Sequence, residues 1–206
     1  MSTSDALTPF PRPMRADARR NYDLLLAAAG AAFAEHGMEA SLEDIARRAG
    51  VGIGTLYRHF PTRESLAEAV YRARIEALRE EAESLLAAPS PEEALAVWLR
   101  SLVKFGSTQR GLALFLKTAL REEGSNLAWC KETMRAAGGA LLLRAQQSGA
   151  IRPDLEVSDL LRLAHAISWA VEPPTDGDRT DRYLSLMLDG LRRQDRTQEE
   201  PRPAPP

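Results

Sequence analysis

Between Arg15 and Gln194 apolar positions recur at intervals of three and four, and no stretch alternates with the period of two that a half-buried strand needs. The pattern predicts an all-α chain. A first helix over residues 16–36 turns Leu24, Ala28, Ala31 and Phe33, or their neighbours, inward and stops at Gly37, whose tolerance of positive φ suits a helix end. Ser41 then caps a short second helix, with Asp44 three residues on completing a capping-box pattern. That helix ends at Gly50, and a third begins near Ile53 and stops at Phe60 and Pro61. Two helices of about two turns joined through glycine form a helix-turn-helix candidate.

A long fourth helix over 62–87 carries Leu66, Ala69, Val70, Ala73, Ala77 and Leu85. At about 1.5 Å per residue it spans nearly 40 Å, enough to leave one domain and enter another. Pro89 and Pro91 break it, and Ser90 with Pro91, Glu92 and Glu93 restarts the chain with a cap, a first-turn proline and early acids. Further helices are predicted at 91–107, 110–122, 125–148, 157–171 and 178–194. Residues 1–15, with Pro9, Pro11 and Pro13, read as a disordered arm, and 195–206 as a disordered tail.

Composition narrows the classes. Of 206 residues 44% are hydrophobic and 27% charged, which fits a folded globular chain rather than a disordered or collagenous one. The single cysteine, Cys130, excludes an internal disulfide and a cysteine zinc cluster. No secretory signal or membrane-length apolar run is present, so the expectation is a cytoplasmic protein with no membrane partner. Net charge is -2, so any contact with nucleic acid has to come from a local patch. From 47 to 63 the charged residues are Arg47, Arg48, Arg58 and Arg63 with no acid among them. That stretch is where the basic charge concentrates.

On a helical wheel Ile53, Leu56, Tyr57 and Phe60 share one face of the third helix, and Gly54, Thr55, Arg58 and His59 the other. The second face is small, polar and basic. Small residues let backbone approach a major groove, while hydroxyl, guanidinium and imidazole groups address base edges or phosphates. Arg58 is the natural partner for a guanine. Tyr57, on the shoulder of the apolar face, can pack its ring and offer its hydroxyl to a phosphate. Thr62 and Arg63, opening the long helix, add a hydroxyl, backbone N–H groups and a cation. The plain alternative is two amphipathic helices that only pack, with arginines as their solvated face.

The run from Ser41 to Leu66, with Ala46, Gly50, Leu56, Tyr57, Phe60 and Leu66 in order, resembles the DNA-binding signature of the tetracycline-repressor (TetR) family of bacterial transcription regulators. The resemblance covers about residues 18 to 66. It implies that Ser41, Thr55, Tyr57, His59 and Arg63 touch DNA, and that Gly54 and Arg58 sit where base choice varies. Glu43 departs from the pattern, being an acid where some members carry a base-contacting cation, and receives no contact.

The same resemblance implies a helix-turn-helix domain over 16–66 and a helical regulatory and dimerisation domain over 67–194, whose last two helices pair with a second copy. Leu160, Leu163 and Ile167 with Tyr183, Leu184, Met187, Leu188 and Leu191 supply apolar surface for such a four-helix bundle. Burial within one subunit is the competing use. Trp98, Phe105, Phe115, Trp129, Met134 and Trp169, with His165 as a polar contact, are the candidate lining of an effector pocket, and each also reads as core. Gly138 and Gly139 inside one helix either permit a close crossing or leave room for a ligand. His36, His59 and His165 have no metal spacing, and no phosphate loop or nucleophile elbow appears, so no catalysis, cofactor or metal is expected.

The function these readings converge on is a homodimeric DNA-binding repressor, released from a palindromic double-stranded operator by a small-molecule effector. The rival is a helical small-molecule-binding protein or enzyme in which the helix-turn-helix is structural.

Overall fold

The computed structural model describes residues 13–108, 111–112, 126–171 and 177–192. Among them the chain forms eight α-helices: α1 (Pro13–His36), α2 (Leu42–Arg48), α3 (Ile53–His59), α4 (Arg63–Leu85), α5 (Pro91–Thr108), α6 (Asn126–Gln147), α7 (Val157–Ala170) and α8 (Gly177–Leu191). A 3-10 turn, Gly37–Glu39, links α1 to α2. The all-α expectation holds. The predicted helix at 110–122 with its Phe115, the loop at 173–176 and the tail from 195 lie outside the described residues.

Local chemistry accounts for most helix ends. Proline presets the helical φ at a first turn, and α1 begins at Pro13, three residues earlier than expected. Gly37 and Gly50 follow α1 and α2 with φ of +58° and +69°, a region costly for any residue with a β-carbon. Only half of the predicted capping box at Ser41 forms. Its Oγ accepts from the Asp44 N–H at 3.2 Å, but the Asp44 carboxylate turns to Arg47 at 2.6 Å. The complete box lies at the next start, where Thr62 and Ser65 exchange side-chain and backbone hydrogen bonds. Arg144 of α6 donates to the Leu85 and Ala88 carbonyls and so adds a cation to the C-terminal end of α4, whose last carbonyls already accept from the Leu86, Ala87 and Ala88 N–H groups.

Two cores share α4. The first collects Leu25, Ala29 and Phe33 of α1, Ile45 and Ala46 of α2, Leu56, Phe60, and Leu66, Ala67 and Val70 of α4. Leu112, just beyond α5, is buried in it as well. The second collects Ile75, Leu78 and Ala82 of α4 with Leu95, Trp98 and Leu99 of α5, Leu141 of α6, Leu160 of α7 and Leu184 of α8. Tyr71 packs against both. Along α4 the N-terminal core takes Leu66, Ala67 and Val70 and the second core takes over at Ile75, so the change from one to the other falls inside an unbroken helix. At about 1.5–3 kcal/mol for each fully buried large apolar side chain, both cores bind α4 firmly. A shift of this helix reaches each of them.

The phase of α1 differs from the expectation by one residue. Leu25, Ala29 and Ala32 are buried and Leu24 is exposed, because the run from Leu24 to Ala29 is apolar all round and leaves the inward face undefined. At the other end α8 stops at Leu191, three residues short of the predicted end. There the Arg152 N–H takes the Leu191 carbonyl at 3.0 Å, and Ile151 pairs with Arg192 in a single antiparallel bridge.

Candidate nucleic-acid interface

The short α3 is held by Leu56 at its middle and Phe60 just past its C-terminal end, both buried. Tyr22 of α1 stacks on Phe60 with ring centroids 5.1 Å apart and meets the His59 ring edge-on at 5.9 Å. Sequence reasoning passed over Tyr22. It is the aromatic post that fixes the end of α3 and half-buries His59, and only its partial burial among the α1 apolar positions could have signalled it.

The outward side of α3 is formed by Ile53, Gly54, Tyr57 and Arg58. Tyr57 is 46% exposed and Ile53 37%, so the wheel's apolar face is narrower than expected. With only seven residues, α3 meets the core along Leu56 and Phe60, and the positions flanking that line stay in solvent. A β-carbon placed on Gly52 or Gly54 would meet nothing within 4 Å. Intramolecular packing does not require glycine at either position, and in a helix interior glycine costs roughly 1 kcal/mol relative to alanine. Bare backbone on an exposed face suits an incoming surface.

Charge at the site is smaller than the arginine count suggests. Arg48 pairs with Glu35 of α1 at 3.0 Å and Arg47 with Asp44 at 2.6 Å, the first acid coming from another helix and the second from just before the stretch. Arg63 spends Nη1 on the carbonyls of Met38, at 2.8 Å, and Ala40, which fastens the start of α4 to the turn before α2. Arg58 is exposed and has no acidic partner among the described residues. Of the four arginines from 47 to 63 it is the one whose side chain has no partner among the described residues. Thr55 is half-buried on the same helix. Ser41 caps α2 and donates to Glu43 at 3.2 Å, while Thr62 caps α4. Glu43 thus serves the local hydrogen-bond chain.

Among the described residues the candidate pocket side chains fall in different surroundings, and Phe115 lies outside them. Trp98 is fully buried, its Nε1 donating to the Leu78 carbonyl at 3.0 Å, and Met134 is buried in the same core. Phe105 packs on Tyr71 at 5.3 Å. His165 and Trp169 lie on the outside of α7, joined by an indole N–H donated to the imidazole Nε2 at 2.9 Å; one helix turn apart, they cannot also face the core. A cleft of about 720 Å³ opens instead between α1, α4 and α6, lined by Tyr22, Arg72, Ala73, Glu76, Trp129 and Thr133 among others. The Arg72 guanidinium lies 4.4 Å over the Trp129 ring there. Of the described pocket candidates Trp129 alone reaches this cleft.

The predicted dimer set also divides. Leu160, Leu184 and Leu191 are buried in their own subunit, because the i, i+4 stripe that meets α5 claims them. Ile167, Tyr183, Met187 and Leu188 are half-buried, whereas Leu163 and Trp169 are exposed and Leu186 is 60% exposed. Among the described residues no group of histidine, cysteine and carboxylate side chains could hold a metal ion, and no helix is long and apolar enough to cross a membrane.

Comparison with known proteins gives one consistent picture. Residues 25–70 match the family described as bacterial regulatory proteins, tetR family. Residues 90–193 match the C-terminal domain described as transcriptional regulator SbtR-like. The structure resembles that of a TetR transcriptional regulator from Streptomyces coelicolor, with 38% identity, a TM-score of 0.75, and coverage of 83% of this chain and 98% of that one. A TetR transcription regulatory protein from Mycobacterium vanbaalenii is 35% identical, with a TM-score of 0.71 and coverage of 88% and 100%. The repressor KstR2 of Rhodococcus jostii is 27% identical over 183 residues, 81% of this chain and 89% of that protein.

Proposed function

The chain belongs to the tetR family of bacterial regulatory proteins, and from that membership we propose that it is a homodimeric cytoplasmic repressor which a small-molecule effector releases from its operator. The family comprises regulators of transcription rather than enzymes, which removes the carrier or enzyme reading. The observation that carries DNA binding is the outer side of α3: open backbone at Gly54, exposed Tyr57, and Arg58 without an acidic partner among the described residues. Similarity to KstR2, named a transcriptional repressor, supports repression as the sense of control.

In the bound state the α3 helices of two subunits enter successive major grooves about one turn, ~34–36 Å, apart. Arg58 addresses a base edge and Tyr57, His59, Thr55 and Thr62 the flanking backbone. Release works through α4, which is shared by both cores and crossed by Tyr71 at their junction. An effector that moves α4 changes the separation of the two α3 helices. Since a ligand shifts an equilibrium only by its differential affinity for the two states, it binds the form with unsuited spacing more tightly. An effector found to bind equally well with and without operator would remove this mechanism.

The test is binding of the purified protein to DNA flanking its own gene, read by fluorescence anisotropy at two salt concentrations. Tight binding that resists competitor DNA, weakens with salt and is lost in Arg58→Ala is expected. Binding that is weak, indifferent to sequence and unchanged in Arg58→Ala would overturn the assignment of α3.

A further inference from the structure

Ile53 opens α3 and stands 37% exposed, although its wheel position beside Leu56 and Phe60 called for burial. Next to it, a β-carbon on Gly54 would meet open space. One turn on stand Tyr57 and Arg58, both exposed. The leading end of the helix is thus a branched apolar side chain, followed by uncovered backbone and then a guanidinium. A single exposed isoleucine needs no explanation on an ordinary surface. At the first position of a helix that enters a major groove, it has a definite chemical counterpart.

In the major groove thymine alone presents an apolar group, its C5 methyl, and the side chains that read it do so by apolar contact. The N-terminal residues of a recognition helix are those that reach base edges. We propose that Ile53 reads a thymine methyl in each operator half-site, as a specificity-determining residue beside Arg58. The inference rests on the DNA-binding reading above and adds to it the base that is recognised. Gly54 lets the backbone between the two contacts come close to the base edges.

The experiment uses the full chain and a duplex it selects from random DNA. Each thymine is replaced in turn by deoxyuridine, which keeps the pairing edge and lacks only the methyl, and affinity is read by anisotropy. At one thymine position per half-site the replacement weakens binding about fourfold, the worth of one buried methyl-sized group, and about fifteenfold when both half-sites carry it. Ile53→Ala shows a comparable deficit on the unmodified duplex and no further loss on the deoxyuridine duplex. Unchanged circular dichroism and thermal midpoint establish that the variant is folded. Affinity indifferent to every deoxyuridine, or an Ile53→Ala variant as sensitive to the same replacement as the wild type, would overturn the inference while leaving DNA binding intact. Selection of no duplex at all would overturn the DNA-binding reading, and this inference with it.

Discussion

The ring of Trp98 lies so close to Gly138 that a β-carbon there would stand 2.8 Å from Cη2 and 3.0 Å from Cζ3. The indole cannot retreat, because it is fully buried and its Nε1 is held by the Leu78 carbonyl at 3.0 Å. The glycine thus marks the point where α5 and α6 cross closely. It does not make room for a ligand. The same device recurs between α5 and α7, where a β-carbon on Gly106 would fall 2.7 Å from the Ser168 Oγ.

Gly138→Ala is therefore expected to destabilise. Overpacking against a rigid ring costs about 1–3 kcal/mol, more than the ~1 kcal/mol of helix propensity alanine regains. Gly139→Ala is the contrast. Its β-carbon would meet only Val157 Cγ2 at 3.9 Å, so it should stabilise by up to about 1 kcal/mol. Urea unfolding of the two variants decides the point, and equal shifts would contradict the close crossing.

Arg63 is expected to act first on the fold. Its Nη1 bonds to the Met38 and Ala40 carbonyls, and hydrogen bonds to charged groups contribute about 1.5–3 kcal/mol. Arg63→Lys keeps the charge and loses the planar grip, so its urea midpoint should fall along with its affinity for DNA. A lysine variant with wild-type stability and no DNA binding would mean that Arg63 serves DNA and not the turn.

Cys130 is expected to be unreactive. Burial pushes its thiol from 9.0 up to about 11, against the opposing pull of Arg72. At pH 8 the thiolate is then about a hundredfold scarcer than in an open thiol, and alkylation of the native protein should be slowed by a similar factor relative to the denatured chain. Burial likewise raises the Tyr71 hydroxyl to about 12. A raised folded-state value means that the folded protein keeps a proton the unfolded chain has shed. Stability is thus full below about pH 9 and declines as pH climbs through 11 for Cys130 and toward 12 for Tyr71. Thermal midpoints at pH 8 and pH 10.5 would reveal the fall, and equal midpoints would count against both shifts.

Of the expected dimer residues Leu163 is exposed, and Trp169 and Leu186 are the other large exposed apolar residues described on α7 and α8, so the dimer is expected to form there. A charge at Leu186, as in Leu186→Asp, should turn the protein into a monomer in analytical ultracentrifugation and sharply lower its operator affinity. Its position on the subunit surface means that the monomer should stay folded. A Leu186→Asp dimer of undiminished mass would move the interface elsewhere.

Helix existence and order were legible in the chain because caps, prolines and glycines act locally: Thr62, Pro91, Gly37 and Gly50 mark starts and ends wherever the rest of the molecule lies. The DNA-reading helix was legible for the same reason, since α3 and its flanks occupy one short run. Phase and surface were less so. A run such as Leu24 to Ala29 is apolar on every side, and only the position of α2 and α4 decides that Leu25 goes in and Leu24 stays out.

What the sequence by itself determined is the all-helical class, the helix-turn-helix and the family resemblance they carry. Each depends on periodicity and on residues a few positions apart. Tertiary structure alone decided which arginine of the stretch is left without a protein partner among the described residues, because Glu35 reaches Arg48 from another helix and Arg63 turns back to Met38. It also decided that Ile53 stands in solvent, that Leu160, Leu184 and Leu191 are core, and that Gly138 serves a close crossing against the Trp98 ring. These outcomes depend on which helices cross and how closely, and distance in space between residues far apart in the chain is not encoded in their spacing along it.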